Sequence, residues 1–251
     1  MKDNRETRRE QIKYLLIRNE EMKVNDLAAQ LNVTPETIRT DLDFLERRGF
    51  LFRRHGSALL RTTDTQAPME IRIQENPNLK REISEAVFPF VKDGMVLYIS
   101  SSSTVIHLCR MLVLRKDLTV FTSSLDIAEA LIPTTHKIIM LGGTLDHTGR
   151  RIQSGDLLRS IHGVHFDLSI LGMSGCKNTD GPASPVYEDL EEEKYIMSHS
   201  EINLLVADHT KFQIPSPYQY AKFTEFDAFI CDRIPEEYQE KLNGVRVIEC
   251  E

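Results

Sequence analysis

Apolar residues recur along the first sixty positions with a helical period. Ile12, Leu15 and Leu16 fall on one face of a segment spanning residues 8–18, and "NEEMKV" interrupts the pattern. Asn25 then caps a second, shorter helix, "DLAAQL", whose Leu27 and Leu31 share a face at i, i+4. After the turn "NV", Thr34 as N-cap and Pro35 as first helical residue open a third helix. Ile38, Leu42 and Leu45 form its buried stripe, and Gly49 ends it. "FLFRRHGSALLR" reads as two short strands around His55 and Gly56. This order of elements predicts a winged helix-turn-helix over residues 1–61.

Residues 62–78 lack a clean period and carry Thr, Pro and Asn; they read as a linker with one helical turn at "MEIRIQ". Beyond residue 79 the pattern changes. "LKREISEAVFPFV", "STVIHLCRMLV", "LDIAEALI" and "DLEEEKYIMSHS" are helical. "GMVLYI", "LTVFTS", "KIIMLGG", "FDLSILGM", "INLLVADH" and "AFICD" are strand-like. Short apolar runs alternating with amphipathic helices predict a mostly parallel α/β domain over residues 79–251.

Composition narrows the class. The chain has 251 residues, of which 41% are hydrophobic, enough for a real core. No run approaches the ~20 apolar residues that span a bilayer, and "MKDNRETRREQ" lacks the apolar run of a signal peptide. A soluble, cytoplasmic protein without a membrane partner is expected. Cys109, Cys176, Cys231 and Cys250 are scattered, and the eight histidines show no metal-binding spacing. Neither a metal nor a cofactor is expected. The net charge of −7 conceals an asymmetry: +3 over residues 1–61 and −10 over residues 62–251. A basic head on an acidic body fits a DNA-binding module fused to another domain.

The exposed positions of the third helix are Glu36, Thr37, Arg39, Thr40, Asp43 and Arg47. Arginine reads guanine, threonine contacts base edges or the thymine methyl, and N–H groups at the helix start, near Thr34 and Pro35, take a phosphate. Arg53, Arg54 and His55 sit on the wing, placed to grip phosphates or the minor groove. The competing reading is a three-helix packing module with a solvated charged face.

In a parallel sheet, ligands bind beyond the carboxyl ends of the strands. The five strand exits carry Ser100, Ser102, Ser103 and Thr104; Thr122, Ser123 and Ser124; Gly142 and Gly143; Gly172, Ser174 and Gly175; and Asp208 with Lys211. Small hydroxyl residues, glycines and one lysine make an anion pocket. Taken singly, each is an ordinary cap or turn.

The chain resembles the DeoR family of bacterial transcription regulators. "TIRTDL" and "GFLFRRHGSA" are similar to the family's T-I-R-R-D-L helix and G-x-L-x-R-x-H-G-G-A wing. "LTVFTSSLDIAEAL", "IIMLGG" and "VADHTKF" are similar to its later segments, in the same order. The resemblance implies a C-terminal sensor similar in fold to ribose-5-phosphate isomerase, a phosphorylated sugar as allosteric effector, and a homodimer or homotetramer on double-stranded operator DNA. It implies a repressor of a carbohydrate operon. The chain departs from the family where D-x-G-T-T becomes "SSSST", Ser100 replacing an acid and Ser102 a glycine. Thr40 replaces an arginine, Ser57 a wing glycine and Ser123 an asparagine. The alternative is a sugar-phosphate isomerase or deaminase whose N-terminal module serves assembly, with Asp208 or Glu188 as its base.

Overall fold

The structure is a computed structural model; it describes residues 4–48, 50–60, 69–153 and 160–250. The chain divides into two compact units, residues 1–67 and 68–251.

In the first unit, helix α1 (Asn4–Asn19) leads into β1 (Glu21–Lys23), α2 (Val24–Leu31), α3 (Pro35–Arg47) and the hairpin β2 (Leu51–Arg54) and β3 (Ser57–Leu60). Ile12, Leu16, Leu27, Ile38, Leu42 and Leu45 form the core. Thr34 caps α3, its Oγ1 accepting from the Thr37 N–H at 3.2 Å, with Pro35 in the first turn. The wing turns at Gly56, whose φ of 78° a glycine adopts without strain. Two local readings need correction. Asn25 does not cap α2: Lys23 is the N-cap and makes no side-chain cap bond. "EMK" is a strand, because β1 pairs antiparallel with β3 and completes a three-stranded sheet. Gly49 lies outside the described residues.

Asp41 ties this unit together. It is 1% exposed and takes Arg8 Nε at 2.5 Å and Arg9 Nε at 2.8 Å, fastening α1 to α3.

In the second unit, α4 (Met69–Gln74) and α5 (Pro77–Val87) come first; α4 is the turn expected at "MEIRIQ", and it clusters with this unit. Met69 has no exposed surface. Then follow β4 (Val96–Ile99), α6 (Ile106–Met111), β5 (Thr119–Thr122), α7 (Leu125–Leu131), β6 (Lys137–Met140) and a small hairpin, β7 (Thr144–Asp146) with β8 (Arg151–Gln153). Next come β9 (Leu168–Gly172), β10 (Ala183–Ser184), α8 (Asp189–Ser198), β11 (Asn203–Val206), β12 (Tyr218–Gln219), β13 (Ala228–Cys231) and β14 (Val247–Glu249).

Seven strands form one sheet in the order β14-β13-β11-β9-β4-β5-β6, and every neighbouring pair is parallel. Alternate residues serve opposite faces: Leu97 and Ile99 pack with Ile83, Leu108 and Ile127, whereas Tyr98 packs with Phe166, Phe212 and Ile196. Both faces are covered, which explains the unbroken apolar runs. The chain winds outward from β4 through β5 to β6, then returns to β9 and winds the other way. The order reverses between β4 and β9, and in open parallel sheets the carboxyl ends at such a reversal are where a ligand crevice forms.

Replacing Asp41 with alanine leaves Arg8 and Arg9 without their shared carboxylate. Allowing for their partial exposure, the unit is expected to lose about 2 kcal/mol, read as faster amide exchange in α3.

Candidate functional site

The structure exposes Glu36, Arg39, Thr40 and Arg47 on α3, with Thr34 and Pro35 exposed at its start and Thr37 half-buried. Arg39 pairs with Glu36 at 2.9 Å across open solvent, an exposed pair that costs little to break. Arg53 is more committed: it pairs with Asp43, and its N–H donates to Glu46 Oε1 at 2.9 Å, bracing the wing on α3. Arg54 and His55 are exposed at the wing tip.

At the crevice the serine run is a built turn. Ser100 Oγ accepts from the Gly172 N–H at 3.1 Å and so bridges the two loops that flank it. Ser102 lies over Gly172; a Cβ there would meet Ser102 Oγ at 2.5 Å. Ser102 Oγ accepts from the Thr104 N–H, and the Thr104 carbonyl accepts from Ser84 of α5. Thr122 Oγ1 donates to the Ile99 carbonyl and accepts from the Ser124 N–H, while Ser124 caps α7. Much of the hydroxyl set therefore holds the loops in place. Among the described residues, the N–H groups of Ser101 and Ser103 take no carbonyl partner, and the buried Ser101 Oγ makes no hydrogen bond.

The expected strand exits contribute unequally. Ser174 and Gly175 turn their N–H groups to the Ala183 carbonyl, and a Cβ on Gly175 would strike the Ile214 carbonyl. Their role is packing and pairing. Gly142 and Gly143 are exposed and follow β6, the edge strand, two strands from the crevice. Asp208 and Lys211 follow β11, next to β9, and both are buried.

The sequence reading missed Lys80. It sits on α5, has no exposed surface, and donates from Nζ to Ser103 Oγ at 3.1 Å and to the Arg72 carbonyl. Burial first, then Lys211, and last Arg72 bring its pKa down to about 8, against the opposing pull of Asp208 and Glu75. Its signal was a lysine in step with the buried Ile83, Ser84 and Val87. Burial works against ionised Asp208, but Lys211, the Thr210 hydroxyl, Lys80 and the Thr210 N–H outweigh it and hold the carboxyl below its ordinary value. Asp208 Oδ1 accepts from the Thr210 N–H and hydroxyl, whereas Oδ2, buried, has no hydrogen-bond partner among the described residues. Two buried lysines and one buried carboxylate thus converge beside the serine turn.

Residues 8–64 match the family described as the DeoR-like helix-turn-helix domain, and residues 75–233 match the DeoR C terminal sensor domain. The chain belongs to the DeoR family. It is 26% identical to the Glycerol-3-phosphate regulon repressor of Escherichia coli K12, covering 85% of each chain. It is also 26% identical to the L-fucose operon activator of the same strain, covering 90% of this chain and 94% of that one. Among solved structures, ribose 5-phosphate isomerase A of Methanocaldococcus jannaschii is 15% identical over 55% of each chain, with a TM-score of 0.40. The α/β class of the sensor rests on its own sheet. No helix among the described residues is long and apolar enough to cross a membrane.

Ser102 and Gly172 are coupled. Gly172→Ala should cost about 1–3 kcal/mol through the clash with Ser102. The double variant with Ser102→Gly should recover most of that loss in urea unfolding, whereas strict additivity would show that the two residues do not share the space.

Proposed function

We propose that this protein is a sequence-specific DNA-binding transcriptional regulator, a repressor of a carbohydrate operon, controlled by a phosphorylated sugar held in its C-terminal unit. The observation that carries the ligand class is the meeting of buried Lys80, Lys211 and Asp208 at the crevice where the strand order reverses. The lysines, with the N–H groups of Ser101 and Ser103, suit a phosphate. Asp208 Oδ2 needs a donor, and a sugar hydroxyl supplies one. A phosphate offers these lysines a stronger acceptor than a neutral sugar does, and a bare phosphate would leave Asp208 Oδ2 without a donor. Relatives named for a glycerol 3-phosphate regulon and an L-fucose operon support a carbohydrate role.

The DNA reading rests on α3. Its capped start presents Thr34, Pro35, Glu36 and Thr37 toward a phosphate or base edges, Arg39, Thr40 and Arg47 line the exposed face, and Arg53, Arg54 and His55 form the wing. A homodimer, or a tetramer of such dimers, places two copies of α3 about 34 Å apart on two half-sites. The effector acts by linkage: it shifts DNA occupancy by the difference in its affinity for the competent and incompetent states. Catalysis has less support. A proton-abstracting base needs a raised pKa, and that of Asp208 moves the other way, while Glu188 is exposed at the start of α8.

A mobility-shift assay with the protein's own upstream region should show specific, salt-dependent binding. Arg39→Ala should weaken it by about 1–3 kcal/mol and leave effector-induced thermal stabilisation unchanged. Absence of specific binding at every salt concentration would overturn the DNA reading.

Protonation supplies a second check. Below about pH 8 Lys80 is already charged and an anion binds without taking up a proton. Above that value the empty site has lost the proton and must regain it, so affinity should fall by up to about tenfold per pH unit. Calorimetric titration with the best-binding sugar phosphate should show this slope in the native protein and not in Lys80→Met.

A further inference from the structure

We propose that α4 is the output latch of the sensor: a short helix held at its start by the β7–β8 hairpin and toward its end by Lys80 of α5, each bonded in turn to a loop of the crevice, and released at the Lys80 end when the site fills. This rests on the reading of the crevice as an anion site.

At its start, the Met69 N–H donates to the Thr148 carbonyl at 3.1 Å, in the turn of the β7–β8 hairpin. That hairpin is bonded to the second effector loop. The Ile152 N–H donates to the Ser123 carbonyl at 2.8 Å, and the Leu125 N–H to the Arg150 carbonyl at 2.9 Å. Toward its end, the Arg72 carbonyl accepts from Lys80 Nζ, whose other acceptor is Ser103 Oγ in the first effector loop. The Arg72 side chain is itself buried. Burial and then Arg151 of β8 draw its pKa down to about 10, while Glu75, Asp126 and Asp146 oppose them, so its guanidinium lies among the charges of the hairpin and α7.

A helix of six residues has little stability of its own. The position of α4 is therefore set by these clasps together with the burial of Met69 and Arg72. Lys80 is the one that an anion can compete for. Its ammonium has three protons, two of them engaged, and a phosphate against the Ser101 and Ser103 N–H groups is a stronger acceptor than a peptide carbonyl. As the ammonium turns to the phosphate, the bond to Arg72 weakens. In the chain order α4 is the first described helix after the DNA-binding unit. Occupied and empty sites then favour different states of one element, which is what coupling between two sites requires.

Hydrogen–deuterium exchange on the full chain tests this, with inorganic phosphate and glucose 6-phosphate as probes. In the native protein a probe should slow exchange over residues 100–105 and speed it over residues 69–76 by roughly threefold or more. Lys80→Met, similar in volume and suited to burial, should exchange fast over residues 69–76 from the outset and show no further response. Protection of residues 100–105 with no change at 69–76 in the native protein would overturn the latch and leave the anion site standing. No protection of residues 100–105 by either probe would overturn the anion reading, and the latch with it. Both outcomes are read on the native protein, so they hold even if the variant does not fold.

Discussion

An ammonium group without exposed surface has to find acceptors or lose its proton, and Lys80 meets that constraint in a way that organises the sensor unit. One acceptor is Ser103 in the serine turn and the other is the backbone of α4. Lys211 and Asp208 lie close enough to shift its pKa. Replacing this arrangement with apolar side chains would have made a simpler core. A charge retained there, at the carboxyl ends of seven parallel strands, is the composition of a site for a ligand that brings its own negative charge.

The serine turn shows how a loop can depart from its relatives and stay folded. With Ser102 where the family has glycine, the space above β9 is taken, and residue 172 has to be small. Ser100, where the family has an acid, spends its oxygen on the Gly172 N–H across the crevice. The serine at this position thus serves as a brace between two strands. Among the described residues, Asp208 keeps one buried oxygen without a hydrogen-bond partner, as Asp126 and Glu193 do elsewhere in this unit.

Where structure follows from local pattern, the chain could be read directly. The T-P start of α3, its stripe of Ile38, Leu42 and Leu45, and the hairpin at Gly56 each depend on neighbours within a few residues. The apolar runs of β4, β5, β9, β11 and β13 were legible for the same reason. Features set by distant partners were not. The strand β1 has three residues, and pairing with β3 makes it a strand. The helix α4 was visible as a turn at "MEIRIQ", but its bonds to Lys80 and to the β7–β8 hairpin, partners distant in the chain, were not. At the site, strand exits could be listed from sequence, but not which of their N–H groups were already spent. Ser174 and Gly175 bind Ala183, a partner eight or nine residues away. Lys80 was visible as a polar residue in an apolar stripe, yet only the fold shows what it faces.

The claim on which the rest stands is that the crevice selects for phosphate on a sugar. Calorimetric titration of the full chain with a set of pentose and hexose phosphates, each beside its unphosphorylated parent, measures this directly. At least one phosphate should bind roughly a hundredfold more tightly than its parent sugar, a difference of about 2.7 kcal/mol. Parent sugars binding as tightly as their phosphates would contradict the account.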